Sequence, residues 1–317
     1  LFSEKLKLLC IENVKNKVNY SNDGRSELDM NILWKQCVFL IKKILNNKSK
    51  IKKNIIGIGI TANMVGLWPI NDKGIPVRKA ILWNDFRTLK ILNKMKSKDK
   101  KIYEKIFNES GSVLQYGCTI PLIKWFYENE KNNFNKTLWF LNCKDWIRFK
   151  LTGDIANDYT ETVVAPGNAK KISRSGKIFK LFNLNDAAIK KLPIIKKSDS
   201  IAGYITKKTE KLTKIPFGTP VVIGAGDVPS TILGVGANKP GSAATIFGTT
   251  IHNCFVSRKP VFHPKNIGLL FYSPNSTWLK TMINVAGTIN LEWAIKNFFE
   301  YEEYLLEKKK YLHKLEL

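Results

Sequence analysis

Gly218-Thr-Pro-Val-Val-Ile-Gly-Ala-Gly-Asp227 ends an apolar run of strand character on a carboxylate flanked by small residues. An acid at the carboxyl end of a strand stands where ligand crevices form in α/β sheets, and small neighbours let a substrate and a phosphate approach the main chain. The segment continues through Gly234-Val-Gly-Ala-Asn-Lys-Pro-Gly241 to Gly248-Thr-Thr250. Glycine-threonine turns of this kind cradle phosphate with main-chain N–H groups and hydroxyls. Taken alone, the motif reads first as an N-cap aspartate followed by a tight glycine turn.

Other phosphate chemistry is excluded by spacing. The chain contains no GxxxxGK[ST] and no HRD or DFG triplet, which removes P-loop and protein-kinase sites. Gly57-Ile-Gly59-Ile-Thr-Ala62 matches GxGxxA, but that fingerprint needs a helix after it so that the helix N-terminus meets a pyrophosphate. Here Gly66 to Gly74 reads as strand and turn, so a dinucleotide site is not expected. Cys10, Cys37, Cys118, Cys143 and Cys254 form no CxxC and have no histidine at ligand spacing, which argues against zinc and a disulfide framework. A reducing cytoplasm is the expected setting. No run of 18 apolar residues occurs, no charged-then-apolar leader precedes Leu1, and neither a spanning helix nor a secretory signal is expected.

The net charge of +26 and pI near 9.8 raise nucleic acid as a partner. Of the 52 basic residues only 6 are Arg, the residue that reads guanine bidentately and stacks on bases. Abundant Lys, Asn and Ile are what A+T-rich coding would produce, so the charge reads as a solvated surface and nucleic acid is not an expected partner.

The elements that must position Asp227 follow from periodicity. Asp29 to Leu45 shows apolar residues at helical spacing. Asn54 to Ile60 and Gly66 to Ile70 are short β-rich runs, and Asn71-Asp-Lys-Gly74 has turn chemistry, so this part reads as a hairpin feeding Ala80-Ile-Leu-Trp83. Residues 88–150 read as helical with Lys-rich outer faces, ending in a turn at Thr152-Gly153-Asp154. Residues 165–215 read as a loop-rich stretch, Pro220 to Gly224 as a buried strand, Ala243 to Phe247 as the start of another sheet, and Leu291 to Leu317 as an amphipathic helix. At 317 residues with 44% hydrophobic residues, two domains are the natural division.

Five blocks in this order resemble the FGGY carbohydrate kinases, which include the pentulose, polyol and glycerol kinases. They are Ile58 to Gly66, Asn71 to Thr88, Lys144 to Gly153, Asp158-Tyr-Thr160 and Gly218 to Gly241. The resemblance runs from about Gly24 to Trp293. It implies an α/β, actin-like (ribonuclease H-like) two-domain fold closing over MgATP and a sugar or polyol, with residues 1–238 as the substrate-binding domain and 239–317 as the start of the nucleotide-binding domain. Asp227 resembles the family's catalytic base, which takes the proton of the attacking hydroxyl, a role suited to a loose phosphoryl transfer that depends on positioning and charge. Trp83 resembles the aromatic that packs on the substrate carbon chain, and Asn63, Met64 and Val65 stand where the family binds substrate hydroxyls. Gly248, Thr249 and Thr250 resemble a phosphate loop. ATP and Mg²⁺ are the implied cofactors, with no metal ligand assigned. The implied partners are a small sugar or polyol such as xylulose and, at most, a second copy in a homodimer, without membrane.

Bland alternatives stand beside these roles. Trp83 reads equally as core. Asp85 and Arg87 pair with each other more readily than with a substrate. His252 reads as a hydrogen-bonded structural group, and Lys124-Trp-Phe-Tyr127 as helix packing. By comparison with the family, the chain lacks the Asp-x-Gly-Thr strand and most of the second domain, and Asn63 and Val65 replace polar residues common in the substrate segment. The reading is therefore an ATP-dependent kinase of a pentulose or related polyol, set against a decayed or repurposed relative that binds carbohydrate without phosphoryl transfer.

Overall fold

The structure is a computed structural model that describes residues 1–47, 54–248, 250–284 and 286–298. Its centre is a pair of parallel strands. Thr61–Ala62 pairs with Ala225–Gly226 in the register Thr61↔Ala225 and Ala62↔Gly226, and Ile58 bridges Val221 in the same sense upstream. The chain from Pro220 to Gly226 is bent at Gly224, which sits at φ 79°. A Cβ there would lie 2.1 Å from the Ile60 carbonyl oxygen, so only glycine lets the two strands run this close. On its other edge Pro220–Val222 pairs antiparallel with Ile201–Tyr204, with the register slipping between Val221 and Val222.

The expected first helix forms as Met30–Asn47. Asp29 Oδ1 accepts the N–H groups of Asn31 and Ile32 at 2.9 and 3.0 Å, satisfying two donors that the first turn leaves free. Trp34, Val38 and Leu45 form its buried stripe, packed with Leu151, Ile205, Ile215 and Val221. The turn Asn71–Gly74 also forms, with Asn71 N–H bonded to the Ile75 carbonyl and Gly74 at φ 68°.

Three segments differ from the sequence reading. Leu67 faces Ile81 as the hairpin requires, but the ladder partner of Trp68–Ile70 is Trp139–Leu141, a strand inside the stretch read as wholly helical. Around it are the helices Leu89–Lys98, Ile102–Ser110, Thr119–Asn129, Lys131–Lys136 and Cys143–Thr152. The physical reason is burial: Trp68, Pro69, Ile70, Phe140 and Leu141 are all covered, so a strand buried on both faces shows no alternation to distinguish it from helix. The stretch read as loop holds the helices Gly176–Leu181, Asp186–Ile189 and Lys207–Thr213, each started by a capping side chain (Ser175, Asn185, Thr206), besides the strand Ile201–Tyr204. The last helix is Thr288–Phe298, without a buried residue; the remainder of the helix expected to Leu317 lies outside the described residues.

Downstream of Gly241 the strands Ala243–Phe247, Ile251–Ser257, Trp278–Asn284 and Leu269–Tyr272 lie in that order in one antiparallel sheet. Its covered face, through Cys254, Val256, Leu269, Phe271 and Leu279, shares one hydrophobic cluster with Met64, Val65, Cys118, Val164 and Ile232. Burial therefore runs continuously from this sheet to the carboxyl ends of the parallel strands. No described helix is long and apolar enough to cross a membrane.

Candidate functional site

The two parallel strands end together, and the chain leaves them in two ways. After Ala62 comes the irregular run Asn63-Met-Val-Gly66; after Gly226 comes the helix Asp227–Gly234. Asn63 to Val65 and Asp227 thus stand side by side at the carboxyl edge of the sheet. The N-cap is Gly226, so Asp227 is the first helical residue rather than the cap, and its Oδ1 accepts the Val228 N–H at 2.9 Å. Gly226 packs closely on Met64: a Cβ there would stand 2.4 Å from Met64 Cγ and Sδ, so that side chain would have to move. Asp227 is half-buried, and burial raises its carboxyl above the ordinary value although the Val228 N–H and His252 act the other way.

Met64 and Val65 are buried in the cluster shared with the antiparallel sheet, whereas Asn63 stays partly open. Val65 and Gly66 both take the left-handed conformation, at φ 55° and 77°. Their main-chain groups are held from several directions. Val65 N–H donates to Glu161 Oε2 at 2.8 Å, and Val65 O accepts from Asn142 Nδ2 at 3.1 Å. Gly66 N–H donates to the Gly117 carbonyl at 3.0 Å, and Gly66 O accepts from Thr119 Oγ1 at 3.0 Å. The same Gly117 packs against the main chain of Trp83. Trp83 is 51% exposed, so it is not core; its ring stands open on the strip that Gly117 ties to the Val65 loop.

Asp85 and Arg87 pair with each other, as read from their spacing. Arg87 Nε and Nη2 reach Asp85 Oδ1 and Oδ2 at 2.8 Å each, Ser26 N–H adds a bond to Oδ2 at 2.7 Å, and the guanidinium lies 4.7 Å from the Trp125 ring. Both are buried, which makes the pair an internal brace rather than a ligand contact. Lys124 pairs with Glu128 along its own helix at 3.1 Å, as helix packing requires.

Beneath the Val65 loop is a buried polar network to which the sequence reading assigned no role. Lys144 Nζ reaches Asp145 at 2.7 Å and Asp158 at 2.9 Å, all three side chains fully covered. Arg148 joins Asp145 at 2.8 Å, and Asn157 Nδ2 donates to Asn142 Oδ1 at 2.7 Å, leading back to the carbonyl of Val65. Burial works to raise the Asp158 carboxyl, yet Lys144 and the bonds from Thr160 and Ser198 hold it below the ordinary value. Burial works to lower Lys144, and Asp145 and Asp158 outweigh it. For Glu161 burial outweighs Lys144 and the Val65 N–H and, with Asp158 and Asp145 adding to it, drives the carboxyl well above the ordinary carboxylate range. The signal for this network was present in the Lys144 to Gly153 and Asp158 to Thr160 blocks, whose charges lie on elements too apolar in company to be solvated.

The glycine-threonine turn closes on itself, with Gly248 N–H donating to the Thr250 carbonyl at 3.1 Å. Thr288, the first residue of the last described helix, donates its N–H to the Gly248 carbonyl at 2.8 Å. Thr249 lies outside the described residues. His252 Nε2 is 3.1 Å from Thr250 Oγ1, and His252 Nδ1 is buried without a partner among the described residues. Burial lowers the imidazole and Asp227 raises it, which puts His252 in electrostatic range of the carboxylate. Among the described residues no group of three or more His, Cys, Asp or Glu could hold a metal ion, and all five cysteines are free.

Comparison with known proteins follows this geometry. The family model for the N-terminal domain of the FGGY family of carbohydrate kinases matches residues 1–234. The xylulose kinase of Staphylococcus epidermidis is 27% identical over 293 residues, 91% of this chain and 56% of that protein. The probable L-xylulose kinase of Haemophilus influenzae is 32% identical over 214 residues, 66% of this chain and 43% of that protein. The solved structure of a ligand-bound xylulose kinase from Lactobacillus acidophilus superimposes with a TM-score of 0.82 at 17% identity, over 93% of this chain and 59% of that one. A Plasmodium falciparum glycerol kinase with ADP gives 0.79 at 19%, over 93% and 60%. These likenesses establish the α/β fold of the actin-like sugar kinases, and the chain spans about half the length of the curated relatives it matches.

Proposed function

The chain belongs to the FGGY family of carbohydrate kinases, and from that premise we propose that it serves the ATP-dependent phosphorylation of a sugar or polyol hydroxyl, a pentulose such as xylulose, with Asp227 as the general base. The observation that carries this reading is the register Ala62↔Gly226, which sets Asn63 to Val65 beside Asp227 at the carboxyl ends of two parallel strands. The names of the relatives, xylulose and L-xylulose kinases, supply the substrate class.

The chain's own residues divide the work. Asn63 binds hydroxyls, Met64 and Val65, buried and with the Val65 main chain already bonded, hold its loop in place, and the exposed ring of Trp83 covers the carbon skeleton. Asp227, raised by burial, is a stronger base than a solvated carboxylate and orients the attacking hydroxyl as it takes the proton. Gly248 and the Thr249–Thr250 turn hold phosphate oxygens. ATP would supply the phosphoryl group together with its magnesium, to which no side chain is assigned. The family match ends at Gly234 and the next strand begins at Ala243, which supports a substrate-binding domain of residues 1–238 with a nucleotide-binding part from 239. Five free cysteines support a reducing cytoplasm.

The test is ADP release by the protein with D-xylulose, L-xylulose and glycerol, repeated with Asp227→Asn. Pentulose-dependent release is expected, with kcat lower by about a hundredfold or more in the variant and its thermal midpoint unchanged. Equal turnover in the two proteins would remove Asp227 from the mechanism. Saturable sugar binding without turnover in the parent would favour a binding protein in place of a kinase.

A further inference from the structure

The helix Tyr159–Val164 lies beneath both halves of the site, and two consecutive side chains reach one half each. Thr160 Oγ1 accepts the N–H of Gly226, the residue before Asp227, at 3.0 Å. Glu161 Oε2 accepts the N–H of Val65 at 2.8 Å. Glu161 is 1% exposed, and its other oxygen is buried without a partner among the described residues. A carboxyl in that position is costly, since burial opposes its charge and leaves one oxygen unsatisfied, and a leucine would fill the space without either penalty. What the acid provides and a leucine does not is an acceptor for one particular N–H.

That N–H belongs to a strained residue. Val65 is β-branched and stands at φ 55°, where side chains with a Cβ are disfavoured and branched ones are outliers. Such strain persists only when the surroundings over-determine it. We propose that Glu161, together with Thr160, is a positioning residue of the sugar site: it clamps Val65 in the left-handed conformation and thereby sets the Asn63 to Val65 run against Asp227. The clamp rests on the reading of that run as the sugar-binding loop.

Glu161→Leu keeps the volume, removes the buried carboxyl and deletes only the acceptor. Glu161→Gln keeps an oxygen for the Val65 N–H, and the double variant Val65→Gly with Glu161→Leu removes the strain as well. D-xylulose affinity by calorimetry, KM and kcat, and amide hydrogen exchange at Val65 are to be measured in all three and in the parent. Glu161→Leu is expected to weaken sugar binding about tenfold, the fold-change equivalent to the left-handed penalty of a residue with a Cβ, and to speed Val65 exchange while global stability holds or rises. Glu161→Gln should resemble the parent. The double variant should recover most of the affinity, because glycine adopts φ 55° freely. Parent-like sugar affinity and Val65 exchange in Glu161→Leu would overturn the clamp and leave Glu161 a packing residue. A parent that binds none of the sugars would refute the functional reading instead, and Val65 exchange in Glu161→Leu would then decide the clamp alone.

Discussion

Gly117→Ala tests whether the Asn63–Val65 loop and Trp83 are one mechanical unit. A Cβ at position 117 would stand 1.7 Å from the Trp83 carbonyl oxygen, 2.2 Å from its carbonyl carbon and 2.8 Å from its Cα. Non-bonded atoms settle at about 3.5 Å, so one main chain must retreat by about 1.8 Å. A backbone does not give way as a flexible side chain would. Overpacking of this kind costs about 2–3 kcal/mol, at the upper end of the usual range because the obstacle is main chain, and the thermal midpoint should fall by about 5 °C. The displacement falls on Trp83 and on the 3.0 Å bond from Gly66 N–H to the Gly117 carbonyl, so the loop carrying Asn63 shifts with it. A misplacement of this size near the reacting groups corresponds to a loss of about a hundredfold in kcat/KM for the pentulose. Gly153→Ala is the control: Gly153 sits at φ 81° with nothing within 4 Å of a Cβ, so it should cost about 1 kcal/mol of backbone strain and leave sugar kinetics untouched. Scanning calorimetry and steady-state kinetics read both arms. Gly117→Ala with the parent's midpoint and kcat/KM would refute the coupling.

Two further outcomes follow from buried charge. Lys144→Met leaves Asp158 with hydrogen bonds but no cation, and breaking a buried pair in this way should lower stability by about 3–5 kcal/mol in urea unfolding at pH 7. Because the folded Asp158 carboxyl is held below 3.8, its contribution is present above that pH and lost as the pH falls through the folded value, so the variant should show a shallower acid limb in the same measurement. Lys280 is the opposite case. Its Nζ donates to the Ile267 carbonyl at 2.7 Å and to the Gly111 carbonyl at 3.3 Å, while burial lowers the ammonium from 10.5 to about 8. Between those values the unfolded chain holds more protons than the folded one, so stability should rise from pH 8 to 10.5, and Lys280→Met should remove that rise.

How much was legible in the sequence varies by element. Helix Met30–Asn47 was, because Asp29 caps it and one stripe of it is apolar. The turn at Asn71 and the strand before Asp227 were legible too, since Gly74 and Gly224 mark left-handed positions that few residues tolerate. Trp139–Leu141 was not, because a short strand covered on both faces looks like the helices around it. Trp83 could be read either as core or as surface; its exposure depends on Gly117, far along the chain, packing beneath its main chain. Glu161 gave no signal, since an acid after a capping aspartate ordinarily belongs to a solvated first turn.

By itself, then, the amino-acid sequence determined the order of motifs, the lack of a P-loop motif, the family and the identity of Asp227 as the acid at a strand end. These are local or collinear properties, carried by residue type and spacing. Only the tertiary structure decided that Asn63 and Asp227 share one edge, through the parallel register of two strands distant in sequence. It also decided that Val65 is strained and that Lys144, Asp158 and Glu161 lie under the site rather than in solvent. Pairing across the chain and the loss of water around a charge depend on what else is brought near, and spacing along one segment does not contain that information.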